Sequence, residues 1–545
     1  MKMKMKNKIV LAIIAFSALG MTNIKAQQPY MVKDINAGPT YSSPSNLLNV
    51  NGTLFFSATD GINGFELWKS DGTEAGTMLV KDIYSGNSSS NPHSMTNVNG
   101  TLFFLATTSI GTKIWKSDGT EAGTVLVKDI YPNSPVSSPD PSNLTNLNGT
   151  LIFSADDGIH GIELWKSDGT GAGTVMLKDI RPGSNSSGPS YLTSVGGYVF
   201  FSALDTINGI ELWKTDGSSA GTVLVDDIVP GIDGSSPSLL TDVNGTLFFV
   251  PWVAELWKSD GTAAGTILVK DIWPGAGYSD PSNLTNINGT LFFAADDGTH
   301  SIELWKSDGT EAGTVLVKDI NTVGNGDSYP TLITNVNGIA FFRANDGVHG
   351  NELWKSNGTD AGTMLVKDIR PGSNSSNPNY LTNFNGMLYF TAYDSINGTE
   401  LWKSDGTSAG TVLVKDIYPG NITSEEPLFL TVANGSLFFS ADDGIFGTEL
   451  WALGPYSGIE QLNNVESTLN LFPNPASGTV TLNIGNINNE ETVLNIYNEM
   501  GALVKSELLT QNKSQINVED LSNGIYLFTT VSNNKVENKK LIIRK

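Results

Sequence analysis

Residues 66–83 read ELWKSDGTEAGTMLVKDI, and close copies of this phrase recur down most of the chain. Its tryptophan returns at Trp68, Trp115, Trp165, Trp213, Trp257, Trp305, Trp354, Trp402 and Trp451, at intervals of 44 to 50 residues. Before each stands a version of NGTLFFSADDG, as in NGTLIFSADDG at residues 148–158, and after the first eight comes SDGTxAGTxLVKDI or a near copy. One unit therefore parses into four short strands: an LTNL-like segment (residues 144–147), a TLFFSA-like one, ELWK and TVLVKDI. Asn-Gly, Asp-Asp-Gly and Asp-Gly-Thr join them, and Asn-Gly and Asp-Gly supply the positive φ that tight hairpins require. The second strand, as at Leu54-Phe55-Phe56, is apolar on both faces, so neighbouring sheets should bury both.

A period of about 40–50 residues with four strands is the arithmetic of a β-propeller blade. An orphan fourth strand, MVKDI at residues 31–35, precedes the first unit, and the last unit (residues 428–451) has strands one to three only. Adding the orphan to that last sheet gives nine blades and closes a ring, beyond the usual range of about four to eight. An open superhelical stack is the alternative, but it wastes the orphan and exposes two sheet faces. The expected fold is all-β, a single closed propeller of four-stranded blades followed by a small C-terminal β-sandwich.

The 545-residue chain has a net charge of −23 and no cysteine. Lys2, Lys4, Lys6 and Lys8 precede the apolar run IVLAIIAFSALG (residues 9–20), and Ala26 offers a small residue before Gln27. That is the pattern of an export signal, too short to span a membrane. The expected limits are a signal peptide at 1–26, the repeats at 27–452, a linker at 453–468 and a tail at 469–545. No other apolar run approaches the roughly 18 residues of a membrane helix. Without disulfides, an exported chain must draw its stability from burial and closure. The acidic balance argues against nucleic acid as a partner, which calls for clustered Lys and Arg.

The repeat resembles the ELWxxDGT repeat family of exported bacterial proteins. The matching residues include Glu66-Leu67-Trp68 with Asp71-Gly72-Thr73, and the same triplets from Glu163, Glu303 and Glu400. That family brings no catalytic activity to transfer. The tail, from LNLFPNPASGTVTLNI at residue 469 onward, resembles the type A sorting domain of the type IX secretion system of the Bacteroidetes. The matching residues are Pro473, Asn474, Pro475 and Gly478, Ile496-Tyr497 with Gly501, Leu521 with Gly524 and Tyr526, and a Lys-rich end from Lys539 through Lys540 to Lys545. The resemblance implies the type IX secretion machinery as a partner, carriage across the outer membrane, and a chain secreted or attached to the outer cell surface.

Catalytic or metal chemistry finds little support. There is no Gly-x-Ser-x-Gly elbow, no His-Glu-x-x-His and no phosphate loop. The repeated Asp-Gly-Thr offers oxygen donors that suit calcium, but Asn357 replaces the Asp in the seventh copy, which a turn tolerates and a cation does not. His93, His160, His300 and His349 fall in different units. No cofactor is expected. Each Trp should wedge between neighbouring sheets, and the Lys and Asp of VKDI should pair with the Glu of ELW from blade to blade.

The units differ most after VKDI and around DDG, which in a propeller lie on one face, and variable loops on a rigid scaffold are where binding surfaces are built. The residues following VKDI include Tyr84, Tyr131, Arg181, Trp273, Arg370 and Tyr418, and Trp252 and Arg343 break the repeat further. These eight are the candidate ligand-binding residues, a set that suits an extracellular glycan or a surface protein. The expectation is a non-enzymatic binding or adhesion module. The alternatives are a polysaccharide lyase or glycosidase working at the propeller mouth, for which no asymmetric carboxylate pair stands out, and a purely structural surface module.

Overall fold

A computed structural model describes residues 28–132, 140–275, 277–324, 326–420, 426–454, 469–484, 492–498, 503–532 and 535–545. The expected export signal and most of the expected linker lie outside the described residues. The chain divides into two compact units, Met1–Pro455 and Tyr456–Lys545. Every element among the described residues is a strand.

The first unit holds nine four-stranded antiparallel sheets, a β-propeller-like arrangement. In the first sheet the strands are Ser45–Val50, Thr53–Thr59, Phe65–Ser70 and Met78–Lys81. Asn51 and Gly52 take φ of 51° and 89°, the left-handed pair that a two-residue hairpin demands. Eight sheets use four consecutive strands. In the ninth, Leu428–Ala433, Ser436–Asp442 and Thr448–Leu453 receive Tyr30–Lys33 as their fourth, with Met31 opposite Trp451.

Strand two is buried on both faces: Leu54, Phe55 and Phe56 are at most 3% exposed. Each tryptophan lies between its own sheet and the one before. Trp165 packs with Phe103, Leu105 and Val127 of the second sheet. Trp68 shares a cluster with Phe438 and Leu450 of the ninth sheet and with Val32 of the N-terminal strand. The first strands lie side by side in sequence order, and that of the first sheet also lies beside that of the ninth. Thr145 Oγ1 donates to Leu192 O of the following sheet at 3.2 Å, and Asn146 Nδ2 to Asn97 O of the preceding one at 3.3 Å. Between the first and ninth sheets, Asn49 Nδ2 donates to Val432 O at 3.0 Å.

The expected pairing of VKDI lysines with ELW glutamates does not form. The lysines reach backbone carbonyls of the next sheet instead: Lys128 to Thr174 O and Lys178 to Thr222 O, both at 2.7 Å, and Lys33 of the ninth sheet to Thr77 O of the first at 2.9 Å. Several of their ammonium groups also rest over the next tryptophan, as Lys415 does over Trp451 at 4.7 Å. The glutamates are unavailable because other donors already fill their oxygens. Glu66 Oε2 accepts from Ile83 N at 2.8 Å and Ser90 Oγ at 2.6 Å, and Oε1 accepts from Ser90 N at 2.9 Å. Ser90 O in turn accepts from Thr107 N of the second sheet at 2.8 Å. The same clasp recurs at Glu163 with Ser187, at Glu255 with Ser279 and at Glu352 with Ser376. At the ends of the array, Glu449 accepts from Ile35 N and Ser42 Oγ, 414 and 407 residues away in sequence, and Ser42 O accepts from Thr59 N.

The Asp-Gly-Thr turns are closed by their own side chains. Asp71 Oδ1 accepts from Thr73 N and Oγ1 at 2.9 and 2.8 Å, and Asn357 Oδ1 does the same with Thr359 at 3.0 and 2.7 Å. The amide oxygen substitutes fully for the carboxylate, so the turn accounts for the motif.

In the second unit, Asn470–Phe472, Thr479–Asn483 and Lys513–Asn517 form one sheet. Leu503–Leu509, Thr492–Tyr497, Gly524–Ser532 and Lys535–Ile543 form another. Val480, Leu482 and Ile516 of the first share a core with Leu494, Ile496, Phe528 and Leu541 of the second.

Two outcomes follow. Phe438 is fully buried where the ninth sheet meets the first, so Phe438→Ala should destabilise the repeat unit by about 3–5 kcal/mol in denaturant titrations. Burial raises the buried glutamates above their ordinary 4.5, to about 7 at Glu303, Glu352, Glu400 and Glu449, because desolvation outweighs their hydrogen bonds. A carboxyl group with a raised folded pKa holds its proton longer in the native state, so its stabilising share is full below 4.5 and lost as pH climbs through 7. His160, His300 and His349, raised by hydrogen bonds to Asp157, Asp297 and Asp346, act in the same direction. The thermal midpoint should therefore rise on acidification from pH 8 to pH 5, and a flat profile there would show the glutamates to be ordinary.

Candidate functional site

The serine clasps hold most connections from strand four to the next sheet, the second and eighth sheets excepted, at the same end as the strand two-to-three turns. Those turns carry a feature the sequence reading passed over. Asp60 Oδ1 accepts from Ile62 N and Asn63 N, which lifts the Ile62 side chain into solvent. Equivalent exposed tips are Ile110, Ile159, Ile207, Val348, Ile396 and Ile445, with Trp252 projecting from the corresponding loop of the fifth sheet at 54% exposed. This end of the repeat unit is thus rimmed by apolar tips set in acidic turns.

The residues expected on this face divide into two groups. Tyr131, Trp273 and Tyr418 are half-buried and lie flat on Gly158, Gly298 and Gly444 of the next sheet's turn, where a Cβ would have no room. Their task is packing. Tyr84 is half-buried, and its backbone N–H donates to Glu66. Arg343 stands on strand two, its Nε donating to Thr331 Oγ1 at 3.2 Å, and burial lowers its pKa. Arg181 and Arg370 each donate from Nη1 to a backbone carbonyl five residues on, Ser186 O and Ser375 O, at 3.4 Å.

Arg370 alone of the eight lines one of the described cavities, of about 590 Å³, with Ser375, Ser376, Asn377, Tyr393, Thr399 and Glu426. Its guanidinium sits 4.8 Å from the centre of the Tyr393 ring, a stacked geometry that holds the planar fork in place. Ser376 is fixed by its hydrogen bond to Glu352 and Ser375 Oγ by Asn351 N. Burial raises the Glu426 carboxyl, and the Glu426 charge in turn acts on Tyr380. Tyr380 meets Phe429 edge to face at 6.1 Å. Neither Tyr393 nor Glu426 was among the expected residues. Tyr393 was visible as a departure, since its position holds Thr59, Asp156, Asp296 or Asn345 in other units, whereas the position of Glu426, before the proline that precedes strand one, ranges from Ser43 and Asn91 to Asp140, Asp280 and Tyr329 and gave no such signal.

In the tail, Asn474 ties the Pro473–Pro475 segment to the last strand: its Nδ2 donates to Lys540 O at 3.0 Å and its Oδ1 accepts from Ile542 N at 2.9 Å. Gly478 O accepts from Val518 N. Tyr526 is buried with its hydroxyl donating to Ser522 O at 3.0 Å, and Gly524 opens the strand that pairs with Ile543. Lys540 is exposed. Gly501 lies outside the described residues.

Residues 470–544 match the family model described as the secretion system C-terminal sorting domain. The chain therefore carries a type IX secretion sorting tail, and it is exported to the outer cell surface or beyond it. No helix among the described residues is long and apolar enough to cross a membrane. No curated protein matches the chain. Among solved structures it is similar to PorZ, a surface component of the type IX secretion system of Porphyromonas gingivalis, at 12% identity over 92% of this chain and 75% of that one, TM-score 0.33. It is also similar to the extracellular domain of a putative one-component system from B. thetaiotaomicron, at 11% identity over 93% and 76%, TM-score 0.32. A puromycin hydrolase is similar at 12% identity over 67% of this chain and 60% of that one, TM-score 0.33. These likenesses are remote, and no residue role passes from them to this chain.

Proposed function

We propose that this chain is an exported binding module: a closed nine-bladed propeller of ELWxxDGT repeats, spanning residues 27–452, that engages an extracellular glycan or surface protein. Its tail, residues 469–545, is read as a small β-sandwich that directs export, with a signal peptide ending at Ala26. Ring closure is supported by Tyr30–Lys33 completing the ninth sheet and by Glu449 clasping Ser42.

One observation carries the binding reading. The repeated face loses its repetition at the eighth sheet, where Arg370, Tyr393 and Glu426 line a cavity of a size typical of small-ligand sites, about 300–1,000 Å³. A glycosidase needs two carboxylates flanking the scissile bond, whereas Glu426 is the single carboxylate among the lining residues. A rigid scaffold with a polar cavity and apolar tips at the same end suits recognition.

Screening the purified chain against a glycan array and outer-surface proteins tests this. Arg370→Ala and Tyr393→Ala should each weaken the best hit by about 10-fold or more. Trp252→Ala, in the fifth sheet and not among the residues lining that cavity, should change it little. Turnover of a polysaccharide, or binding indifferent to Arg370 and Tyr393, would overthrow the reading.

A further inference from the structure

Resting on that binding reading, we propose that the Arg370 cavity takes a carboxylated saccharide, with the guanidinium gripping a uronic-acid carboxylate through two parallel hydrogen bonds.

The chain contains an internal duplicate that isolates what is special here. Residues 181–187 and 370–376 both read RPGSNSS. Both arginines are half-buried, both donate from Nη1 to the equivalent serine carbonyl at 3.4 Å, and both segments end in a serine clasped by a buried glutamate, Glu163 or Glu352. The surroundings differ at several points, among them Gly188 against Asn377 and Ser202 against Thr391, and two differences bear most on the arginine. The cross-strand pair at the end of strand two is Leu204–Ile210 in the fourth sheet and Tyr393–Thr399 in the eighth. The residue before the next connection's proline is Ser236 in one and Glu426 in the other. An arginine that the repeat already supplied has thus been given an aromatic plate and a polar wall.

Each substitution has a chemical consequence. Tyr393 lies under the guanidinium, 4.8 Å from Cζ to the ring centre, and limits its movement, so less freedom is lost when a planar carboxylate docks edge-on. Because the arginine covers the ring, the ring is not a platform for the sugar; its role is to aim the fork. Among the described residues no carboxylate lies within ion-pair distance of Arg370, since the ion pairs of the repeat unit use Lys113, Lys318 and the three turn histidines. Its outward N–H groups are therefore uncommitted to any acid among the described residues. Arginine is scarce: Arg181, Arg343, Arg370 and Arg544 are the four in 545 residues. Thr399, Asn377 and Glu426 bring a hydroxyl, an amide and a carboxyl group to the same cavity, the partners that sugar hydroxyls use. Burial favours the neutral form of Glu426, which reduces repulsion toward an anionic ligand. The chain's −23 charge opposes such a ligand at long range, but that field is screened beyond about 8 Å at physiological salt, while the bidentate contact acts at hydrogen-bond distance.

The test is calorimetric titration of the full chain with oligouronates, with the same oligomers after carboxyl reduction to neutral sugars, and with sulfated neutral oligomers. Oligouronate should bind, and both carboxyl reduction and Arg370→Ala should weaken it roughly 10- to 100-fold. Arg370→Lys, which keeps the charge and loses the fork, should still weaken it by about 10-fold. Tyr393→Leu, which copies the fourth sheet, should weaken it too, whereas Arg181→Ala should leave it unchanged; unaltered thermal midpoints would show each variant folded. Equal affinity for the carboxyl-reduced oligomer overturns the carboxylate assignment and leaves the binding module standing. Equal affinity for the sulfated oligomer also overturns it, in favour of a general oxyanion site. Failure to bind any glycan, charged or neutral, removes the saccharide assignment, and if the surface-protein screen is also blank the binding reading falls with it.

Discussion

A fully buried carboxylate governs how one sheet hands the chain to the next. Glu66, Glu163 and Glu303 are 0% exposed and their equivalents at most 8%, and a charge there is tolerable only if its oxygens are saturated. They are saturated by the very backbone that must turn: the N–H two residues past the VKDI lysine, and the N–H and hydroxyl of a serine 24 residues beyond the glutamate. That serine's carbonyl then receives an N–H from strand two of the following sheet. One side chain thereby fixes the shape of the connection and the spacing between sheets, and removing it would leave several buried donors unmet at once. At the ends of the array, Glu449 makes the same contacts to residues near the N-terminus, so the first and last sheets are tied by the same bonds as neighbours inside the array.

The two units that depart from this scheme show how tightly it is coupled. In the second sheet Lys113 occupies the glutamate position, and the serine is replaced by Pro139, whose placement lies outside the described residues. With no hydroxyl to donate, a cation takes over: Lys113 Nζ sits 2.8 Å from Asp129 Oδ1 and 3.2 Å from Tyr131 O. In the eighth, Glu400 keeps its bonds to Ile417 N and Tyr418 N, but the sequence places Glu425 where the serine stands elsewhere. That second departure borders the Arg370 cavity through Glu426.

Much of the architecture was legible because it depends on period and turn chemistry. Four strands per unit, strand two buried on both faces, tryptophan between sheets and the N-terminal strand completing the last sheet all follow from apolar patterning, Asn-Gly turns and a missing segment. The serine clasp was not read, although its signal was present. A Ser-x-Pro recurs before strand one at Ser42, Ser90, Ser187, Ser235, Ser279, Ser328 and Ser376, always in a unit with a clasping Glu, and it is lost where the Glu is lost. The partner is 24 residues away and the bonds are to backbone, so charge pairing pointed instead to lysine. Variation singled out one face of the repeat, but variation did not separate duties. Tyr131, Trp273 and Tyr418 vary because the gap over each glycine accepts any flat side chain, a packing role that looks like recognition in a sequence.

An array of near-identical sheets constrains where function can arise. Nine copies of one loop present nine copies of one surface, so a site for a small ligand must come from residues that differ between copies while leaving the clasps intact. The first strands display this economy. Their second residue is left-handed throughout, at φ of 54° for Asn46, 57° for Asn143, 56° for Tyr191, 50° for Tyr380 and 60° for Phe429. Asn tolerates that conformation readily, whereas a bulky aromatic sits there at a strain of order 1 kcal/mol. The hydrogen-bonded first strands over-determine the backbone, so the position accepts Tyr or Phe without changing shape. Tyr380 and Phe429 use that tolerance beside Glu426, on the flank of the cavity where Arg370 is held. The same rigidity that makes the units interchangeable therefore lets a single pair of adjacent sheets become different from the rest.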